Sequence, residues 1–427
     1  MANKIRNKAW MRLDNAALIF PAIRSRTWVN TFRLSAELTE PVDPALLQQA
    51  LEDLAPRFPS FFVRLGTGLF WYYLESVKEM PQVRPEYAYP LTHMSVKEQK
   101  TCCFRVLYFE NRIAVEFFHV LTDGTGGLIF LKNLLARYLT LKYGAGIPAE
   151  EGIVDLAEEP RPIELDDAFQ RTSGGTALSR REETAYRLRG SLDASGTMHV
   201  ITGLVKTEDL VRAARERDAT VTAFLSAVMI NTISEMQAAH VKKKHWRPVK
   251  ITVPINLREV FHTETFRNFV LVLNVGTDPR LKDYTLEELC REYKNQIALE
   301  AVPEKMAARV AANVNLQRLM SIRLIPLFLK NPIMRCVYHS VGEKNGSINI
   351  SNLGRIRVPE AMEPHIRRFD FMIGVQITYP NNCAVASYGD LTCINMIRNI
   401  TETELERRFF TRLVKLGIPV RIESNDE

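Results

Sequence analysis

The sequence lacks most of the short motifs that mark common catalytic and metal-binding sites. Its six cysteines include no Cys-x-x-Cys pair, and their spacing matches neither a disulfide framework nor a zinc site. It contains no Gly-x-Ser-x-Gly elbow and no His-Glu-x-x-His helix, so neither serine-hydrolase nor zinc-protease chemistry is indicated, and we expect no metal site. The cysteines are predicted to be reduced residues of the core or of strands: Cys102, Cys103, Cys290, Cys336, Cys383 and Cys393.

Nucleic-acid-binding signatures and long apolar segments are also missing. There is no zinc-finger spacing and no aromatic-basic pattern of an RNA-binding sheet, so no nucleic-acid partner is expected. The net charge of +7 is dispersed, and its one run, Lys242-Lys243-Lys244, is interpreted as a solvated loop. A phosphorylated cofactor or an acidic carrier protein would suit that charge. Without a signal segment or an apolar stretch long enough to span a bilayer, we expect a cytoplasmic protein with no transmembrane segment.

The length of 427 residues and the 46% of hydrophobic residues predict two lobes, each with its own core. Between residues 145 and 195 the composition shifts to Glu, Pro, Gly, Ser and Arg without periodicity, which is typical of a connection. We therefore predict an N-terminal lobe over residues 1–170, a crossover linker over 171–195 and a C-terminal lobe over 196–427. Strand and helix patterns occur in both lobes, which indicates an α/β protein.

Local patterns place several elements on this outline. Residues 31–38 alternate polar and apolar side chains like a strand, and Asp43 followed by Pro44 predicts the start of a helix. Residues 104–109 and 113–120 predict a hairpin. Capping boxes at Thr285 and at Thr401 predict two later amphipathic helices.

The most informative stretch is Val-Glu-Phe-Phe-His-Val-Leu-Thr-Asp-Gly-Thr-Gly-Gly-Leu, residues 115–128. An apolar strand ends at His119, a turn carries Asp123 and Gly124, and an apolar helix follows at once. His119 could be a buried imidazole satisfied near a strand end, or a general base that takes a proton from an alcohol or amine. Asp123 could simply cap the helix that begins near Thr125.

With this motif in its context, the chain resembles the thioester-dependent acyltransferase superfamily, and bacterial alcohol acetyltransferases in particular. The superfamily also includes chloramphenicol acetyltransferase, plant acyltransferases and the condensation domains of non-ribosomal peptide synthesis, and its signature is His-His-x-x-x-Asp-Gly. His119 matches the second His, Asp123 the Asp and Gly124 the Gly, whereas Phe118 replaces the first His. The strand, helix and Arg-Phe-Pro order over residues 31–59 extends the resemblance.

The resemblance implies a role for each matching residue. His119 would be the catalytic base, and Asp123 would be structural, orienting the turn through a salt bridge to an arginine of the other lobe. Arg258, in a Pro-x-Asn-Leu-Arg setting, is the predicted partner, with a solvated arginine as the alternative. Gly124 is predicted to bind substrate by permitting a turn that other residues adopt only at a cost. Asn352, in Ser-Asn-Leu-Gly, is predicted to lie beside the acyl donor, or to be an ordinary turn residue.

The implied fold is an α/β (α+β two-layer sandwich) structure of two chloramphenicol-acetyltransferase-like lobes with an active-site tunnel between them. The implied activity is transfer of an acyl group from a coenzyme A thioester, or from an acyl carrier protein, to the hydroxyl of a small-molecule acceptor without an acyl-enzyme. No permanently bound cofactor is expected, and a monomer is implied. Two alternatives remain open: amide-forming condensation onto an amine, and a non-catalytic relative that binds acyl groups or a carrier protein.

A basic and apolar run from Arg318 to Tyr338 allows three interpretations. Interruption by Pro326 and Pro332 favours an ordinary amphipathic core helix. The same composition would also suit the lining of an acyl tunnel or contact with a membrane surface.

Overall fold

Two large β-sheets with helices packed on them form the structure of the chain, a computed structural model that describes residues 10–23, 30–87, 89–172, 182–318, 324–338, 344–375 and 379–426. Two separate clusters of buried apolar side chains accompany the sheets, one built mainly from residues before 140 and the other from residues after 168. The α/β class and the two cores expected from length and composition are therefore confirmed.

The first sheet positions His119. Within the described residues it has five strands, and its central strand, Arg112–Phe118, ends one residue before His119. The predicted hairpin is confirmed, because Val106 lies opposite Val115 in an antiparallel register. The strands in spatial order are Ile366–Ile373, Thr31–Leu38, Arg112–Phe118, Phe104–Phe109 and Arg84–Pro85.

Two helices cover the first sheet, and both begin as the sequence predicts. Asp43 caps Pro44–Leu54 by accepting hydrogen bonds from the amides of the first turn, and the buried face of this helix is apolar. Helix Gly124–Tyr143 starts directly after the motif and stops at Gly144, whose φ of 68° is left-handed. A Cβ on Gly127 would lie 2.8 Å from Phe32 Cε2, so this glycine lets the helix approach strand Thr31–Leu38 closely.

The second sheet has seven strands among the described residues. Ile348–Ile356 pairs in parallel with both of its neighbours, and the other pairs are antiparallel. In spatial order the strands are Val270–Thr277, Val249–Asn256, Ile348–Ile356, Asn381–Tyr388, Leu391–Arg398, His199–Lys206 and Arg421–Ser424. Helix Val221–His240 is buried along most of its length beside this sheet, in the second apolar cluster.

The remaining elements complete the two lobes. A small sheet consists of Trp10–Arg12, Tyr72–Ser76 and Val63–Thr67. The other helices are Val96–Gln99, Pro162–Leu165, Ala168–Thr172, Thr207–Arg215, Lys243–His245, Leu257–Phe261, Leu286–Glu300, Pro303–Arg318, Leu327–Val337, Glu360–His365 and Glu404–Lys415. No helix within the described ranges combines the length and apolar character needed to cross a bilayer.

One strand from the C-terminal part of the chain belongs to the first sheet. Ile366–Ile373 pairs antiparallel with Thr31–Leu38, placing Asp370 opposite Ser35. The flanking strands Ile348–Ile356 and Asn381–Tyr388 both belong to the second sheet. The chain thus crosses from the second sheet to the first and back again, which joins the two lobes by covalent and hydrogen-bonded connections.

The segment that precedes the predicted linker is anchored by a buried ion pair. Glu164, in the short helix Pro162–Leu165, accepts hydrogen bonds from Arg57 Nη1 and Nη2 at 2.6 and 2.8 Å. Its backbone carbonyl accepts from the amide of Phe266 at 2.8 Å. This segment therefore ties the first lobe to a loop of the second, while residues 173–181 of the predicted linker lie outside the described residues.

The predicted capping box at Thr401 is wrong, whereas the one at Thr285 is confirmed. The last helix begins at Glu404, two residues later than predicted. The reason lies in the neighbouring segment: Thr401 donates its amide to Ser191 O, and the Glu402 carboxylate accepts from the amide of Ser191. Both residues are thereby engaged outside the helix.

We predict that Glu164→Gln lowers the free energy of unfolding by about 3 kcal/mol, because it leaves the buried Arg57 guanidinium without its counter-charge. Urea denaturation at neutral pH measures this loss. The control is Glu75→Gln, whose ion pair with Arg64 is partly exposed, and its cost should stay below about 1 kcal/mol. Equal losses of unfolding free energy in the two variants would contradict a stabilising role for the buried Arg57–Glu164 pair.

The same pair predicts a pH dependence. Burial by itself raises the pKa of Glu164, but hydrogen bonds from Arg57 and Arg161 outweigh it and hold the pKa below the ordinary value of a glutamate. A lowered pKa in the folded state contributes stability above the unfolded pKa, and that contribution is lost as the pH falls through the folded value. The difference in free energy of unfolding between wild type and Glu164→Gln should therefore become smaller as the pH is lowered through the acid range.

Candidate active site

His119 lies at the junction of the two lobes, immediately after strand Arg112–Phe118. Its amide donates to Asn30 O at 2.9 Å, which fixes the backbone at the strand end. Its half-buried ring stacks on Phe20 at a centroid distance of 4.7 Å and meets the edge of Phe32 at 5.2 Å. The two phenyl rings restrict both the orientation of the imidazole and the access of water to it.

Asn268, from the second lobe, determines which nitrogen of His119 carries the proton. Its Nδ2 donates to the backbone oxygen of His119 at 3.0 Å and to Asp14 Oδ2 at 3.1 Å. Its Oδ1 therefore faces His119 Nδ1, 3.0 Å away. Because an amide oxygen can only accept, Nδ1 must carry the hydrogen, and the lone pair is left on Nε2.

Asp14 fixes the orientation of Asn268 by accepting a hydrogen bond from its Nδ2. It is fully buried, and its Oδ1 accepts from the amide of Ala17 at 2.8 Å. Burial raises the pKa of the Asp14 carboxyl, against the opposing influence of Arg267, 3.8 Å away, and of the hydrogen bond from Asn268. His119, Asn268 and Asp14 thus form a hydrogen-bonded row that runs from the imidazole into the protein interior.

The carboxylate of Asp123 serves both roles that the sequence left open. Its Oδ1 accepts from the amide of Gly126 at 3.1 Å and caps helix Gly124–Tyr143. Its Oδ2 accepts from Arg258 Nη1 at 2.8 Å and from the amide of Phe269 at 2.7 Å. The capping oxygen belongs to the first lobe, and the second oxygen is bonded entirely to the second lobe.

Arg258 connects Asp123 to the segment that carries Asn268. Besides its bond to Asp123, it donates from Nε to Thr265 O at 2.7 Å and from Nη2 to Arg267 O. Thr122 Oγ1 donates to Phe266 O at 2.6 Å and fastens the same segment to the motif turn. Segment 265–269 is therefore held on both sides, and this fixes where Asn268 meets His119.

The glycines of the motif are required because a side chain at their positions would collide with neighbouring residues. The prediction that Gly124 is needed for a turn conformation that other residues avoid is wrong. Gly124 is the first residue of the helix and has no positive φ. A Cβ on Gly124 would lie 3.0 Å from Leu353 Cδ2, and one on Gly126 would lie 2.2 Å from Phe266 O. Gly126 therefore allows the backbone of the second lobe to lie against the start of the helix.

Asn352 and Phe118 occupy different surroundings. Asn352 Nδ2 donates to Thr222 Oγ1 at 3.0 Å, and its Oδ1 accepts from the amide of Gly354, whose φ is 72°. Both ends of its amide thus have partners inside the second lobe. Phe118, in place of the first His of the signature, is buried, and its amide donates to Cys103 O. The structure places neither side chain in hydrogen-bond contact with His119.

Asn268 and Asp14 are the site residues that sequence reasoning missed. They lie 149 and 105 positions from His119 along the chain, so no local spacing connects them to the motif. The one available signal was the polar pair Arg267-Asn268, which stands between two phenylalanines before strand Val270–Thr277. A polar residue of that kind before a strand is common in loops and does not indicate a particular partner.

We predict that Asp123→Ala and Arg258→Ala each lower the free energy of unfolding by about 3 kcal/mol, since each leaves a buried charge unpaired. In the double variant the remaining charge is also gone, so the loss should be smaller than the sum by about 1 to 3 kcal/mol. Urea denaturation of the four proteins measures this coupling. Additive losses would contradict a direct interaction between the two side chains.

The chain is similar to known proteins in structure and not in sequence. The chain matches no protein-family model and no curated protein sequence. TRI3 trichothecene 15-O-acetyltransferase from Fusarium sporotrichioides is similar with a TM-score of 0.59 at 10% identity, over 96% of this chain and 94% of that chain. TRI101 from F. sporotrichioides, complexed with coenzyme A and T-2, is similar with a TM-score of 0.62 at 10% identity. The match covers 97% of this chain and 99% of that chain.

A third similar structure comes from peptide synthesis. The first condensation domain of the calcium-dependent antibiotic synthetase gives a TM-score of 0.59 at 13% identity, over 97% of both chains. The likeness extends over nearly the whole length of each protein, and at these identities it concerns the fold. The chain therefore has the fold of these acetyltransferase, TRI101 and condensation-domain structures.

Proposed function

We propose that this protein is an acyltransferase that moves an acyl group from a coenzyme A or carrier-protein thioester to the hydroxyl of a small-molecule acceptor. The observation that carries the proposal is the contact between His119 Nδ1 and Asn268 Oδ1 at 3.0 Å. It leaves the Nε2 lone pair of a half-buried imidazole available at the junction of two lobes.

In the proposed reaction, Nε2 of His119 takes the proton of the acceptor hydroxyl as its oxygen attacks the thioester carbonyl carbon. The C–O bond forms and gives a tetrahedral intermediate, whose C–S bond then breaks. The imidazolium gives its proton to the departing sulfur, which leaves as a free thiol. No acyl-enzyme is formed, so both substrates must be bound together, and their proximity supplies much of the rate enhancement. His119 then ends each cycle in its starting state.

Asp123 and Arg258 are proposed to act by position. Their ion pair fixes the turn that follows His119 and the segment that presents Asn268. Gly124 and Asn352 are proposed to border the acyl donor. Support for this comes from Leu353, the neighbour of Asn352, whose side chain comes within 3.0 Å of the Cβ position of Gly124.

The similar structures support the reaction class by their names alone. One is a trichothecene 15-O-acetyltransferase, and another was solved with coenzyme A bound. A condensation domain is the third, which makes an amine acceptor the natural alternative to test alongside alcohols.

We predict that the purified protein releases free thiol from at least one member of a panel of acyl-coenzyme A thioesters, with mixed alcohols or amines present. His119→Ala should reduce that release about a thousandfold, because general-base catalysis is lost. The exposed His245 provides the matched control, and His245→Ala should leave the rate unchanged. Release that persists in His119→Ala would exclude the proposed base.

A second prediction concerns Asn268 as a positioning residue. Asn268→Asp keeps an acceptor oxygen for Nδ1 and adds a negative charge, which favours the imidazolium. The acid limb of the pH profile of kcat/KM should therefore move upward by about one pH unit. Asn268→Ala should lower kcat with little change in KM and without that displacement. If both variants lost the same fraction of kcat and the pH profile of kcat/KM did not move in either, Asn268 would have a merely structural role.

A further inference from the structure

Helix Leu327–Val337 turns an apolar face to solvent. Phe328 is 70% exposed and Ile333 is 53% exposed, whereas Leu327 is buried toward the protein. The exposed positions repeat at the spacing of one helix face: Phe328, Leu329, Pro332, Ile333 and Cys336. The expectation of a core helix is therefore wrong for this segment, because its apolar stripe faces outward where a core helix would bury it.

A neighbouring hairpin enlarges this apolar face. The amide of Leu327 donates to Leu69 O at 2.9 Å, and Lys330 Nζ donates to Phe70 O at 2.7 Å, so the hairpin loop and the start of the helix are in direct contact. Leu69 and Trp71 on this loop are themselves exposed. Trp10, on the strand beside the hairpin, is 52% exposed and lies 6.1 Å from the ring of Tyr73.

We refer to these exposed side chains together as the apolar surface. Its members are Trp10, Leu69, Trp71, Phe328, Leu329 and Ile333. Isolated exposed apolar residues are ordinary on soluble proteins, but a contiguous group of large ones marks an interaction site.

Basic residues without acidic neighbours lie on two of the three segments that form the apolar surface. Residues 324–338 contain Lys330 and Arg335 and no Asp or Glu. On strand Trp10–Arg12, Arg12 is exposed and no acidic residue is present. On the hairpin strand, the acidic Glu75 is neutralised by Arg64 at 2.7 Å. The helix and the strand therefore carry net positive charge, and the hairpin is neutral.

We infer that the apolar surface docks onto an anionic lipid membrane, with Phe328 and Ile333 inserted among the acyl chains and the basic residues at the headgroups. Large apolar and aromatic side chains next to Lys and Arg are the composition of interfacial helices. Tryptophans such as Trp10 and Trp71 favour the boundary between apolar and wet layers. A second copy of the chain fits less well, since a symmetric contact would oppose like charges.

The apolar surface adjoins the segment that lies against His119. Arg335, on the same helix, donates from Nη2 to Ala22 O at 3.3 Å, and Phe20, two residues earlier, stacks on His119. Docking would therefore bring the junction of the lobes to the membrane surface. Docking does not depend on acyl transfer, because exposed apolar side chains and basic charge alone are enough for it.

Sedimentation with lipid vesicles tests the docking. The full chain should bind vesicles of equal phosphatidylcholine and phosphatidylglycerol, bind pure phosphatidylcholine at least fivefold more weakly, and lose affinity for the anionic vesicles as salt screens the charges. Phe328→Ser with Ile333→Ser should weaken binding about tenfold, from the loss of apolar burial. His119→Ala should bind like wild type, so failure of the proposed reaction and failure of docking are distinguishable.

The matched control is Leu281→Ser with Val414→Ser. These residues are 76% and 54% exposed, close to the exposure of Phe328 and Ile333, and belong to a different loop and a different helix. The control should bind within twofold of wild type. Three results would overturn the inference: no vesicle binding, equal weakening in both double variants, or sedimentation equilibrium showing a dimer that Phe328→Ser dissociates.

Discussion

The rest of the site depends on the hydrogen bonds that the buried carboxylate of Asp123 accepts from both lobes. One of its oxygens completes the start of a helix in the first lobe, and the other receives a guanidinium and a backbone amide from the second. A charge with so little solvent is stable only when every lone pair has a partner. The geometry of the turn, of the lobe junction and of His119 is therefore set by the same few hydrogen bonds.

Arg258 extends this constraint over a distance. By donating in three directions it fastens segment 265–269, and that segment carries the amide that selects the tautomer of His119. The two lobes thus each contribute one half of a single hydrogen-bonded unit. Arginine suits this position better than lysine, because its planar fork can satisfy several acceptors at fixed angles.

The sequence was sufficient for features that depend on near neighbours and insufficient for those that depend on tertiary contacts. The strand, turn and helix around His119 follow from local pattern, as does the cap at Asp43. Asn268 could not be found, because its role arises only when a distant loop meets the strand end. Helix Leu327–Val337 was misjudged because periodicity reveals an apolar face without telling what covers it.

The strand Ile366–Ile373 has a consequence for how the protein is made. Until it emerges from the ribosome, strand Thr31–Leu38 at the edge of the first sheet has no partner on one side. More than three hundred residues separate these two strands, so the first sheet stays incomplete for most of synthesis. An open strand edge recruits other chains. Nascent chains of this protein should thus depend on chaperones until translation is almost finished.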